Sequence, residues 1–449
     1  MLRRGWARRD LASTIAFPGP GYGPRFAVMT AFTVDAARAL PGTAELRARR
    51  VAAAERFAAA PFPSAEEEVW RYSRIAELDL DAYALEAPGA NVDAVPDALA
   101  PALAAVPERA ATVVLVNGRL ASWRVDEPGA VQVLVGDGVD AGDLGVAGDP
   151  TDVFFEMNDA FGSPVVIRIA PGSTVVNPIA LVHWSDVPGL ATFPRVVVRA
   201  GEASSATVLE YHASAAGSAG LCVPVVELDV ARAARLGYLN AQNLDLSTWQ
   251  IGSQVARVEA EATLVAAGAA FGGDYARQRS DCRLVGRGAT GNLLAVYFGE
   301  AAQMLDFRTF QEHAAPDTTS NLLFKGAVGG TSRSVYTGLI RVRKNARGTN
   351  AIQTNRNIKL SEGAWAESVP NLEIENNDVR CAHASAVGPV DEEQRFYLES
   401  RGVPTPVAER LVVTGFFDEV LAGLPAPTAA TALRTLVGGK LDRMDRTSV

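Results

Sequence analysis

The chain has 449 residues, enough for two or three domains or for one large β architecture, and 48% of them are hydrophobic, enough for a sizeable core. A formal net charge of −9 argues against a nucleic-acid binder, whose affinity rests on neutralising phosphates. Three widely spaced cysteines make no disulfide framework and point to a reducing, cytoplasmic compartment, and no apolar run is long enough to span a membrane.

Arg3, Arg4, Arg8 and Arg9 make residues 1–28 basic, and Pro18-Gly19-Pro20-Gly21 follows them. Leu11 to Phe17 is too short and too polar for the apolar core of an export signal. A disordered extension is expected there, with Met29 as a natural start. Residues 29–110 read as a helical region. Thr43 can cap a helix running to Ala60, rich in Ala, Arg and Glu, and Pro61-Phe62-Pro63 breaks it. Ser64-Ala65-Glu66-Glu67 has the form of a capping box and leads into Glu68-Val69-Trp70-Arg71-Tyr72. An Ala/Pro-rich connector over 88–107 favours irregular structure or short helices.

From Thr112 the period changes, and residues 111–388 read as one β region. Strand-like runs occupy 112–116, 131–135, 164–169, 174–184, 194–198, 206–211, 223–230, 253–264, 292–298, 320–325, 334–342 and 352–360. Many short strands separated by turn residues suit a sandwich or a barrel, and equally a parallel β-helix with short rungs stacked along an axis. There is no exact repeat. Asn and Gly punctuation, such as Gly329-Gly330, Gly338, Asn355 and Asn357, favours rungs with tight corners.

Residues 370–402 form the seam between this β region and a helical region over 389–449. Val379, Cys381 and His383 sit at period two and share one strand face. Asp391 can cap a helix whose first turn holds Glu392 and Glu393, and Gly402 is placed to stop it. Thr405 is expected to cap the next helix, with Pro406 at its first position and Val407, Leu411, Phe416 and Val420 along one face. A last weak helix over 429–437 is expected to end at Gly438-Gly439, with a frayed tail beyond Lys440.

Cys381 and His383 are the best candidates for chemistry. Thiolate and imidazole suit iron, zinc or copper, but two ligands do not complete a stable site. The other reading is a buried thiol beside a hydrogen-bonded histidine. His183, His212 and His313 read as satisfied structural histidines, and Cys222 and Cys282 as inert core thiols. The Gly-rich stretch 326–333 lacks the Lys-Ser/Thr of a phosphate-binding loop, and neither a G-x-S-x-G elbow nor an H-E-x-x-H pair occurs. The chain is not expected to be an enzyme.

Several stretches together resemble the SufB/SufD family of the SUF iron–sulfur cluster assembly system, with the SufD branch the closer match. The resemblance is carried by Leu305-Asp306 to Phe310 with His313-Ala314-Ala315-Pro316, by Thr319-Ser320-Asn321-Leu322-Leu323-Phe324-Lys325-Gly326, and by Tyr336-Thr337-Gly338-Leu339-Ile340-Arg341-Val342. Gly348-Thr349-Asn350 through Asn357 continues it. Its most specific parts are Asn377-Asp378-Val379-Arg380-Cys381-Ala382-His383, Asp391-Glu392-Glu393 to Leu398, and Ser400-Arg401-Gly402. Glu68-Val69-Trp70-Arg71-Tyr72 resembles the family's N-terminal signature.

The resemblance implies a central right-handed parallel β-helix flanked by N-terminal and C-terminal helical regions. It implies a scaffold that pairs with a SufB-like chain and binds a SufC-like ATPase through its C-terminal helices. A homodimer is the expectation when those partners are absent. No cofactor is expected to be held stably by the chain alone; a transient iron–sulfur cluster or iron would be held in the complex. The family's histidine implicated at the SufB–SufD interface maps to His383, the candidate cluster ligand, and Cys381 matches the cysteine two residues before it. Two features set the chain apart from SufB: it has no cysteine near Thr354-Asn355, and Ala384 stands where SufB has glutamate. The usual SufD stretch begins with Gly at that position, so Ala384 puts a wider side chain beside His383. The alternatives are a SufB-type scaffold chain and a β-helix carbohydrate-active enzyme, for which neither an export signal nor an acidic cluster is visible.

Overall fold

The computed structural model describes residues 31–86 and 95–447. The expected extension 1–28, Met29 and the first part of the 88–107 connector lie outside the described residues. The fold is mainly β, a β-solenoid of about eight turns flanked by N- and C-terminal helices. From Ile179 on, the longer strands alternate between two sheets, and each pairs in parallel with the strand one full turn later; at the start, Ala111–Val116 with Arg119–Val125 and Val131–Val135 with Ser163–Ile169 pair antiparallel. Ser205–Ser214 thus pairs with Arg235–Asn243, which pairs with Thr263–Ala270. This stacking decides for rungs over a sandwich or barrel. Inward-facing Val, Leu, Ile and Ala from both sheets meet along the axis in one continuous core.

The corners carry a repeat that residue identity hides. One residue per turn is left-handed at the same corner. Gly172, Gly288 and Gly348 fill three of these positions, and Ala203, Ala233, Glu261 and Asp317 fill four, with φ of 56–59°. Each hangs on the next: the Ala233 N–H donates to the Ala260 carbonyl, and the Glu261 N–H to that of Arg287. The left-handed bend at Glu261 divides the single expected run 253–264 into Trp249–Val258 and Thr263–Ala270. Likewise the run expected from 174 begins at Ile179.

At the N-terminal side, α1 (Val34–Ala39) and α2 (Ala44–Ala59) carry Thr33 and Thr43 as caps. A short α3 (Ala100–Ala104) follows, and then α4 (Val153–Phe161), which the sequence pattern did not disclose. Asp152 caps α4 by accepting from the Phe154 and Phe155 N–H groups. Arg56 pairs with Glu156 and Arg49 with Asp159, so charges fix α2 onto α4. The stretch around Trp70 is a short 3₁₀ turn rather than the start of a longer helix. It is locked to the solenoid by a fully buried network. Asp306 accepts from Arg277 and from Arg308, both at 2.7 Å, and from the Tyr275 hydroxyl at 2.8 Å. The two guanidinium groups in turn donate to the Val69 and Arg71 carbonyls at 2.6 Å each, and Arg277 lies 3.9 Å from the centre of the Trp70 ring. Burial alone would raise the Asp306 carboxyl, but the two guanidinium groups hold it below the usual carboxylate range.

At the C-terminal side, α5 (Glu392–Ser400) is capped by Asp391 and stopped at Gly402, with φ of 85°. Thr405 is the first residue of α6 (Thr405–Ala422) rather than its cap, and Pro404 occupies the cap position. The expected apolar face of α6 is divided. Val413, Phe417, Val420 and Leu421 pack on the outer face of the solenoid with Leu209, Leu239 and Phe298, whereas Val407 and Leu411 stay exposed. α7 (Pro427–Thr447) runs through Gly438-Gly439 instead of ending there. Each glycine costs a helix about 1 kcal/mol relative to alanine. Burial of Leu433, Val437 and Leu441, with Lys440 and Arg443 paired to Glu300, offsets that cost.

Candidate functional site

The solenoid ends in an uncovered rung. Its last two strands are Trp365–Ile374 and Val379–Pro389, and each is the edge of its sheet. The register of Val379–Pro389 against Thr349–Lys359 sets which side chains face the axis. Ala351, Gln353, Asn355 and Asn357 are buried and face inward. Their partners one rung on are Cys381, His383, Ser385 and Val387. Cys381 and His383 therefore point along the inward direction, and among the described residues no rung lies above them. His383 is exposed; Cys381 is half-buried against the cluster of Ile340, Val342, Ala346 and Ala351, and this burial pushes its thiol pKa up. Ala384 pairs with Thr354 in the outward-facing set, so its methyl leaves the strand on the opposite face from His383.

Directly beneath His383 lies Gln353. It is 1% exposed, and among the described residues neither its amide nitrogen nor its oxygen has a hydrogen-bond partner. The Ser368 hydroxyl on the facing strand is unpaired as well. Gly338 makes room for this polar layer: a Cβ there would lie 2.2 Å from Gln353 Nε2 and 2.3 Å from the Tyr336 hydroxyl. The end of the solenoid thus offers one thiol, one imidazole and two unused polar groups to whatever covers it. Around the rim, Ile374, Val387, Phe396, Tyr397, Val407 and Leu411 are exposed apolar side chains. Between α5, α6 and the sheet runs a groove of about 1000 Å³ bordered by Lys325, Arg356, Tyr397, Leu411 and Phe416.

A second constellation lies deep at the other end. His183 and His212 are register partners, and both face the axis. Their rings stack with centroids 4.2 Å apart and planes at 4°. Glu210 Oε1 lies 2.9 Å from His183 Nε2 and 3.0 Å from His212 Nε2, while Glu210 Oε2 accepts from the Tyr238 hydroxyl at 2.5 Å. Burial would raise the Glu210 carboxyl, but the two imidazoles hold it far below the usual range. Burial would lower His212, but the Cys222 thiol and Glu210 bring it up to about 9. His183 is pushed down, by burial first and by His212 second. In sequence the two histidines stand apart, and Glu210 carries no motif that joins them. The usable signal was the Glu210-x-His212 spacing on a strand, which puts both side chains on one face. The remaining histidine, His313, is satisfied by the Thr318 and Ser320 hydroxyls at 2.8 and 2.9 Å, and burial takes it down to about 4. Cys282 is a core thiol pushed up to about 12 by burial. No helix among the described residues is long and apolar enough to cross a membrane.

Residues 183–416 match the family model described as SUF system FeS cluster assembly, SufBD core domain. An iron–sulfur cluster assembly SufBD family protein of Mycobacterium tuberculosis is 35% identical over 313 residues, covering 68% of this chain and 78% of that protein. The iron–sulfur cluster assembly protein SufD of Escherichia coli is 26% identical over 280 residues, covering 61% of this chain and 66% of its own. The chloroplastic protein ABCI7 of Arabidopsis thaliana is 28% identical over 304 residues, covering 65% of this chain and 64% of its own. With a core-domain match over more than half its length and a relative 35% identical over 68% of it, the chain belongs to the SufBD family of iron–sulfur cluster assembly proteins.

Proposed function

We propose that the chain is the SufD-type half of a cluster-assembly scaffold, a binding partner rather than a catalyst, working in the cytoplasm. A SufB-like chain docks on the uncovered rung. A nascent iron–sulfur cluster, the cargo of the assembly, is held at that junction with His383 as a ligand and Cys381 beside it. The observation that carries this reading is the exposed rung itself. It presents an eleven-residue edge strand with inward-facing Cys381 and His383 and no cover among the described residues. A long bare edge strand templates pairing with another chain. Alone, the same edge pairs with a second copy. In the Thr354-Asn355 pair, near which SufB carries its cysteine, Asn355 is spent on structure here: it donates to the Tyr297 hydroxyl at 3.0 Å.

A SufC-like ATPase binds the exposed apolar residues of α5 and α6, namely Phe396, Tyr397, Val407 and Leu411. Phe416 is unsuitable as a probe, because it already packs over Lys325, with the ammonium 4.6 Å from the ring centre. The test is co-expression with a SufB-like and a SufC-like chain, followed by co-purification. Leu411→Asp is expected to release the ATPase and leave the SufB-like chain bound. His383→Ala is expected to keep the complex and lower its iron and sulfide content. A complex that never forms, or full iron and sulfide content in His383→Ala, would overturn the reading.

A further inference from the structure

We propose that Tyr72 and Trp365 form an aromatic anchor at the rim of the open rung, covered by the chain that docks there. On the reading above, with which this surface stands or falls, that chain is SufB-like. A tyrosine in a glycine position points to it. Arg71 has φ −58° and ψ 138°, Tyr72 has φ 66°, and the Ser73 N–H donates to the Trp70 carbonyl at 3.0 Å. This is a type II turn, whose third position needs a positive φ and favours glycine. Among the described residues, the other non-glycine residues with positive φ stand at solenoid corners or, for Asn117, in the turn after Ala111–Val116. An aromatic residue is strained in this conformation, and such strain gathers at functional sites.

Packing within the chain does not account for the tyrosine. Its side chain is left exposed, at 42%. The Trp365 ring lies 5.9 Å away, centre to centre, and the Arg71 guanidinium lies 5.2 Å from the Tyr72 ring centre. The turn beneath is held firmly, because Arg277 and Arg308 donate from the solenoid to the Val69 and Arg71 carbonyls. A fixed, half-exposed aromatic beside a second ring and a guanidinium has the make-up of an interface hot spot. Its large surface is presented with little conformational entropy left to lose.

The position of the pair selects the occupant. The segment advances along the solenoid axis toward the open end. Trp70 lies on Arg277 of Tyr275–Leu284, the Arg71 carbonyl on Arg308 of Met304–His313, and Tyr72 on Trp365. Trp365 begins Trp365–Ile374, the edge strand of its sheet, and packs partly buried against the outer cluster around Trp70. A strand added to that edge runs about 4.8 Å beyond Trp365. It passes along the rim where the Tyr72–Trp365 pair stands and meets it with an apolar or aromatic side chain. The bare edge backbone and the aromatic anchor thus make one continuous docking face.

The test titrates the purified full chain with a purified SufB-like chain. Tyr72→Gly is expected to keep the melting temperature of the chain alone, because the turn favours glycine, and to bind the SufB-like chain at least about tenfold more weakly. Tyr72→Phe keeps the ring and is expected to keep the affinity. Trp365→Ala serves in place of Tyr72→Gly if circular dichroism shows the glycine variant unfolded. Wild-type affinity in a folded Tyr72→Gly or Trp365→Ala variant would overturn the anchor and leave the docking reading standing. A wild-type chain that binds no SufB-like chain would overturn both.

Discussion

The two ends of the solenoid hold similar chemistry in opposite environments. Near the first turns, inward-facing His183, Glu210 and His212 are sealed. At the last turn, inward-facing Cys381 and His383 stand open, although the same parallel pairing of turn on turn places them. The column that ends at His383 runs from Ile179 through Val208, Tyr238, Ala266, Leu293, Leu322 and Gln353. Its members are apolar or satisfied in the middle, and polar and unpaired at the end. An inward residue is buried only when rungs lie on both sides of it. Availability to a partner or a cluster is therefore set by rung position as much as by residue type. The N-terminal segment is fastened by buried charge and aromatic packing, whereas the terminal edge is left unmanaged, as an obligatory docking surface would be.

The largest expected effect breaks the fastened region. Asp306→Ala strands two fully buried guanidinium groups, Arg277 and Arg308, together with the Trp70 segment they hold. Removing one member of a buried ion network costs about 3–5 kcal/mol. Urea denaturation of the isolated chain should show this loss, and limited proteolysis should cut ahead of the solenoid.

The same network sets a response to acid. The Asp306 carboxyl is held below its unfolded value, so its contribution to stability is fully present above the unfolded carboxylate pKa of about 3.9. It is lost as pH falls through the depressed folded value. Melting temperature should therefore drop below about pH 4, and Asp306→Asn, already weakened, should show a flatter decline there. An equally steep decline in the variant would assign the acid response to other carboxylates, such as Glu300, which Arg443 and Lys440 hold down against burial.

Much of this contrast was legible before any coordinates. The strand runs, the Asp391 cap, the Gly402 stop and the shared face of Cys381 and His383 follow from local period and turn chemistry. What escaped has identifiable causes. The repeat was invisible because its left-handed corner is glycine only at 172, 288 and 348; tight stacking forces Ala203, Ala233, Glu261 and Asp317 into a conformation they do not prefer. α4 escaped because Phe154, Phe155, Met157 and Phe161 are buried around most of its girth, which blurs helical periodicity. The end of α7 was misplaced because tertiary packing overrode two glycines. The His183–Glu210–His212 group needed register: the two histidines meet only because consecutive turns of the solenoid pair in parallel.

A smaller effect should appear just under the open rung. Gln353 buries an amide with no partner above Leu322. Gln353→Leu removes that unsatisfied group at similar volume and should stabilise the isolated chain by about 1 kcal/mol. If the amide serves a docked partner, the same change should weaken the assembled complex while strengthening the chain alone. Equal effects in both states would show that Gln353 is simply a poorly satisfied core residue.

The smallest stability effect is expected at His383 itself. The side chain is exposed at an edge with no rung above it, so His383→Ala should change the unfolding free energy of the isolated chain by no more than about 0.5 kcal/mol. The comparison predicts a different result at the closed end. His212→Ala removes a fully buried ring stacked on His183 and leaves Glu210 short of a partner, for a cost of about 2–4 kcal/mol. Paired urea titrations of the two variants test whether environment, rather than residue type, governs these imidazoles. A large loss in His383→Ala would mean that the terminal rung is supported by its own side chains. That result would remove the reason for reading this rung as a surface awaiting a partner.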